Sequence, residues 1–370
     1  MDTVRGLLVL AVVLGHVVMV VRIRGGVPEA LDPVLLTLRM FRIQALFLLS
    51  GVLFASYLAR PWRLVVRNRL LLLVQVLVVW LLVDRLVRAR LLWDPPPGPV
   101  DMLQHVGEQL VLPDGELWFI WTMAVMALLA RLLGRYRVAL LAVFAVLASG
   151  VLPVPDLGPQ TRAAMTAGPY FLLGAALGGP VLRRGTTFGP ATGATAVVGL
   201  LLLAQAERHE LLAPVPPALR VAVAVAVGGV ATTWFARGLV RARVAAPLRG
   251  LGRRTLPVYV MHLPLVLVCL RWADEQGSTV AADRPHFAVA LLAGLGIGVP
   301  VLLHALLERL DVHGVFDAPR WATTAVDRWS ARPTRGRLSA RESQAGGDLT
   351  PAAATGEDRP RVTMAHRGGA

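Results

Sequence analysis

Ten stretches of 17–21 residues, nearly free of charge, recur along this chain: 4–21, 40–58, 64–83, 117–133, 138–155, 166–182, 190–206, 218–236, 256–272 and 287–307. A run of about 20 apolar residues matches the ~30 Å of hydrocarbon in a bilayer. In that medium every backbone polar group must be satisfied internally, which an α-helix does within one segment. The pattern therefore predicts an all-α fold, a polytopic membrane helical bundle of about ten transmembrane helices, embedded in the cell membrane as a multi-pass protein. The first run opens with Arg5, as a signal peptide does with a basic residue, but no small-residue cleavage site follows it, and Arg22 and Arg24 close it, so it reads as a retained helix.

Charge then orients the bundle. All 38 basic residues are Arg, against 23 acids, for a formal charge of +15. In a soluble chain that excess would suggest nucleic acid; between long apolar runs it reads as topology and headgroup signals, and no nucleic-acid partner is expected. With the N-terminus inside, the inner loops hold fifteen Arg and no acid, whereas the outer loops and helix ends hold twelve Arg and fourteen acids. Arg5 and the ten Arg after residue 308 widen the count to 26 against 12. The expectation is N-in and C-in.

The domain reading is a transmembrane region over 1–310, an inner-leaflet interfacial segment or plain linker over 311–330, and a disordered cytoplasmic tail over 331–370. Trp321, Ala325 and Trp329 fall four apart, with Arg320 and Arg328 beside them, as in a short helix lying on the leaflet. The tail, rich in Ser, Thr, Pro, Gly, Asp and Arg, has too little apolar surface to offset its ordering entropy. The single cysteine, Cys269, excludes an intramolecular disulfide. No span gathers His and carboxylates as a metal site would require, so no metal is expected.

Ionisable residues inside spans carry the functional signal, because a charge at the bilayer centre costs at least ~2.5–3.5 kcal/mol. His16 lies about 18 Å into the first helix. Arg5 precedes it by eleven residues, close to three turns, so both emerge from one face. An interhelical hydrogen bond is the plain alternative for His16, and a topology anchor for Arg5. Tyr259 and His262 share a face of the ninth helix, and Trp118 opens the fourth as either an interfacial anchor or part of an acceptor site. Gln44, Ser50 and Gln75 either line a cavity or pair between helices.

The first helix reads DTVRGLLVLAVVLGHVVMV; ALFLLSGVLF follows in the second, RPWR in the next loop, ELWFIWTM at the fourth and LPVYVMHLP in the ninth. In order and spacing these resemble the acyltransferase 3 family, integral membrane acyl-CoA-dependent O-acyltransferases, over roughly residues 2–308. The most specific parts are the Arg and His eleven apart (Arg5, His16), then Phe47, Ser50 and Gly51, then Arg60 and Arg63. The resemblance implies that His16 is the catalytic histidine, that Arg5 aids substrate or phosphate binding, and that Arg60 and Arg63 meet the anionic head of acyl-CoA. Tyr259 and His262 match the family's late tyrosine and histidine, and with Trp118 and Ser50 they are the expected substrate-binding residues.

Physical chemistry fits those roles. A hydroxyl acceptor needs a base in reach, and imidazole supplies one at neutral pH. Coenzyme A carries three phosphates, which arginine grips with charge-assisted, bidentate contacts. The expected partners are therefore acyl-CoA as donor substrate, with acetyl-CoA as the default, a hydroxyl-bearing glycan, lipid or secreted small molecule as acceptor, and membrane lipid; no bound cofactor is expected. A multi-pass transporter or flippase for a polar or lipid-linked substrate is the competing expectation, since polar groups at mid-membrane and helices broken by Gly and Pro also mark transport.

Overall fold

The computed structural model describes residues 1–24, 32–92, 98–111, 115–134, 136–149, 158–184, 188–312 and 314–331. Every element among them is helical: α1 (Asp2–Ile23), α2 (Asp32–Phe54), α3 (Trp62–Val65), α4 (Leu71–Leu92), α5 (Pro99–Val111), α6 (Trp118–Leu133), α7 (Arg137–Ala148), α8 (Pro159–Ala167), α9 (Pro169–Arg184), α10 (Pro190–Arg208), α11 (Pro217–Arg241), α12 (Ala246–Arg253), α13 (Thr255–Glu275), α14 (Val280–Asp283), α15 (Pro285–Arg309) and α16 (Arg320–Ala331). A 3₁₀ turn at Ala55–Tyr57 follows α2, and a π-turn at Val66–Leu70 joins α3 to α4. The fold is an all-α, polytopic helical bundle.

Each of the ten apolar runs contains helix, but among the described residues seven helices are long and apolar enough to cross a membrane: Asp2–Ile23, Leu35–Tyr57, Trp62–Ala89, Pro190–Arg208, Pro217–Arg241, Thr255–Glu275 and Pro285–Arg309. The other three runs give shorter helices. α6 and α9 have 16 residues each and α7 has 12, so at 1.5 Å per residue none exceeds ~24 Å. The run over 166–182 is divided at Gly168–Pro169, where α8 ends and α9 begins; proline cannot supply the N–H that would continue the ladder. Between the third and fourth runs, α4 extends to Leu92 and α5 occupies 99–111.

What pulls these helices together is small-residue packing, since lipid gives apolar faces no reason to leave it. α2 and α9 approach backbone to backbone. A Cβ at Gly51 would sit 2.0 Å from the Phe171 carbonyl oxygen, and one at Gly174 would sit 2.0 Å from that of Leu48. That contact fixes the rotation of α2, which turns Ser50 toward a cavity and buries Phe47 completely. α1 is the central element: Val9, Val12, Val13, Val17 and Val21 are fully buried. Its N-terminal end lies against α12 through Asp2 and Gly252, and its C-terminal end is tied to α13 by Arg24 and Asp274, 2.7 Å apart. These define the proximal and distal ends of the bundle used below.

Residues Met1–Asp327 form one compact unit. The segment around Trp321 and Trp329 is helical as α16, with Trp321 exposed. Of the tail expected over 331–370, residues 332–370 lie outside the described residues.

Candidate active site

His16 sits in α1 with both ring nitrogens engaged. Its Nδ1 lies 2.9 Å from Nε2 of His262, and its Nε2 lies 3.1 Å from a carboxylate oxygen of Glu116. The two imidazoles stack, with centroids 5.1 Å apart. His262 is fully buried, and its Nδ1 faces the carbonyls of Tyr259 at 2.7 Å and Val258 at 3.1 Å. A nitrogen facing two carbonyl oxygens must carry a proton, so His262 Nε2 is bare and accepts from His16 Nδ1–H. The remaining nitrogen of His16, Nε2, donates to the Glu116 carboxylate when it carries a proton and is the basic nitrogen when it does not.

Glu116 precedes α6, and its backbone carbonyl accepts a hydrogen bond of 2.7 Å from the Tyr259 hydroxyl. Burial pushes its carboxyl up. The hydrogen bond donated by protonated His16 Nε2–H, with the positive charge of His16 and of Arg88, outweighs that and holds it below the usual carboxylate range. It stands ready as an anion beside Nε2. Among the described residues no three His, Cys, Asp or Glu side chains are arranged to hold a metal; His16 directs its two nitrogens to opposite neighbours.

Two cavities that share Arg5, Ser50 and Met123 approach this cluster from the proximal end. The outer one, about 400 Å³, is lined by Arg60, Arg69, Tyr57 and Phe171 among others. Arg60 and Arg69 both lie over the Tyr57 ring, each 4.6 Å from its centroid. The inner one, about 70 Å³, ends on Phe119 and Tyr259, whose rings are 4.8 Å apart. Tyr259 in turn touches His262. A third cavity of about 440 Å³, walled by apolar residues of α1, α2, α9 and α11, holds none of the candidate residues.

The expected site residues thus separate. Arg5, Ser50 and Arg60 line the proximal cavities, Tyr259 closes them, and His262 joins His16 directly. Arg63 is exposed on α3 and does not line them, whereas Arg69 does. Trp118 is buried against Phe47 in the core. Gln75 pairs between segments, donating to the Gly314 carbonyl at 3.0 Å.

Sequence reasoning missed Glu116, Arg69 and Arg42. Glu116 counted only as one of the outer acids; its one local signal was the position two residues before Trp118 at the mouth of a span. Arg42 lies ~15 Å along α2 from Asp32, inside an apolar run, and a charge at that depth was the available signal. Its Nη1 donates to the Ala11 carbonyl at 3.3 Å, and a Cβ on Gly15 would lie 1.8 Å from that nitrogen.

Comparison with curated proteins and with solved structures finds no match. The family model described as acyltransferase domain matches residues 1–304, the stretch that builds the histidine cluster and both proximal cavities. The chain belongs to the acyltransferase 3 family and is a membrane acyltransferase.

Proposed function

We propose that the protein transfers an acyl group from acyl-CoA to a hydroxyl of a glycan, lipid or secreted small molecule, with His16 as general base. The observation that carries the reading is His16 held between His262 and Glu116 just beyond an arginine-lined cavity. The proximal end faces the cytoplasm in this proposal. The coenzyme A phosphates rest on Arg60, Arg69 and Arg5, and the pantetheine arm passes Ser50 toward Tyr259.

In the transfer step the acceptor hydroxyl takes the place of Glu116 at Nε2 of the neutral imidazole and gives it its proton as its oxygen bonds to the thioester carbonyl carbon. Collapse of the tetrahedral adduct breaks the C–S bond, and the departing thiolate takes the proton back from Nε2. His262, with its Nδ1–H fixed by two carbonyls, keeps His16 in the tautomer whose Nε2 is free to accept. Glu116 stabilises the imidazolium that forms, as an adjacent carboxylate does in other His-based sites. Phe119 and Tyr259 must part for the thioester to arrive.

The test is release of coenzyme A from acetyl-CoA by the full chain in membrane vesicles. His16→Ala should lose a factor on the order of 10² to 10⁴ in turnover. The variant should also melt lower, because it leaves His262 Nε2 buried without its partner. Release that persists above about a tenth of wild type removes His16 as base, and wild type that releases none favours the transporter.

A further inference from the structure

On the distal side of His16 lies a cavity of about 380 Å³ that the donor does not use. Its polar lining is Arg22, Arg39, Arg42, Arg208 and Asp32, and Gly15 forms part of its wall. Asp32 is taken up by Arg22. Among the described residues Arg39 and Arg208 have no carboxylate partner, and Arg42 bonds only the Ala11 carbonyl, its Nε buried with no acceptor. Three guanidiniums therefore line one space with no ion-pair partner among the described residues. Arg42 is the costly one, deep along α2 where a cation is seldom kept without use. It is seated there by the missing side chain of Gly15, the residue next to His16, and it feels the charge of Glu116.

We infer that this cavity binds a phosphate or carboxylate of the acceptor, so that the molecule acylated is anionic and presents its hydroxyl to His16 from the distal end. Arginine suits the task because its planar fork meets either group bidentately. Donor and acceptor then approach from opposite ends of α1: one set of arginines holds coenzyme A, and a separate set holds the acceptor. A neutral glycan would leave the three guanidiniums unmatched and would be disfavoured. The inference rests on the acyl-transfer reading for its name of acceptor, but the anion site itself can be tested alone.

The experiment measures binding to the full chain in phosphatidylcholine nanodiscs, by thermal shift and calorimetry, with glucose 6-phosphate, glucuronate and glucose as probes. The two anions should stabilise the wild type and glucose should not. Arg42→Gln and the exposed Arg208→Gln should each weaken anion binding about tenfold, the loss of one charge-assisted contact. Arg69→Gln should leave it intact, which separates this site from the donor cavity. A parallel set of discs containing phosphatidylglycerol identifies the source of the group. If that lipid stabilises wild type but not Arg42→Gln, and competes with the sugar phosphate, the anion is a lipid headgroup and the site stands.

Equal shifts from glucose and its phosphate overturn the inference. So do anion shifts that survive both Arg42→Gln and Arg208→Gln, and so does the absence of any response to anion or lipid. Coenzyme A binding in the same discs tells the two readings apart. Its loss alone sinks the donor assignment, and anion silence with coenzyme A bound sinks only the acceptor site.

Discussion

Replacing Glu116 by Gln keeps the shape of the side chain and removes its charge from the His16 Nε2 contact. In the resting protein the contact is 3.1 Å, and the two side chains retain 14% and 25% exposure. A charge-assisted hydrogen bond contributes about 1.5–3 kcal/mol, and partial exposure argues for the lower half of that range through solvent screening. At about 1.4 kcal/mol per tenfold, turnover should fall roughly 10- to 40-fold. The donor KM should hold steady, because Glu116 lines neither proximal cavity.

The same substitution has a signature in pH. The folded-state carboxyl titrates below its ordinary value of 4.5, so its stabilising effect is complete above that value and is lost as pH falls through the lowered one. Acidification should therefore lower the melting temperature of wild type more steeply than that of Glu116→Gln. The assay is coenzyme A release across a donor titration, paired with melting curves between neutral pH and the acid limb. Turnover within about threefold of wild type, or parallel acid melting in both proteins, would refute the assignment of Glu116 as the group that positions and charges His16.

Arg69→Ala should raise the donor KM about tenfold through one lost phosphate contact, while Arg63→Ala, outside the cavity, should leave donor saturation curves unchanged; the opposite pattern would return the phosphates to Arg63. Gly174→Ala forces a Cβ into the Leu48 carbonyl of α2, so it should cut the melting temperature and the yield of folded protein far more than Gly294→Ala, where a Cβ meets nothing within 4 Å. Reporter fusions after residue 310 should behave as cytoplasmic and fusions within 99–111 as external; an external tail would place the Arg60 and Arg69 cavity on the wrong side for acyl-CoA.

The helices, and the shared face of Arg5 and His16, were legible because both follow from local rules. Hydrocarbon forces the backbone to bond within its own segment, and helical pitch fixes which side chains stack along it. Ser50 and Gly51 were legible as a pair, though only packing shows that Gly51 admits α9 while Ser50 faces the cavity. The span lengths were less so. A hydropathy window slides across Gly168–Pro169 as if the helix continued, whereas the backbone divides there.

The partners of His16 lay beyond any local rule. Glu116 and His262 stand 100 and 246 positions away along the chain, on separate segments, and Glu116 looked like any outer-loop acid. They meet because small-residue contacts set how deep each helix sits and how far it is rotated, and those quantities belong to pairs of helices rather than to either one. Arg42 makes the same point from inside a helix. Its sequence neighbours mark it only as a charge in an apolar run, and it takes the bare backbone of Gly15, brought alongside by the crossing of α1 and α2, to turn that charge toward a cavity.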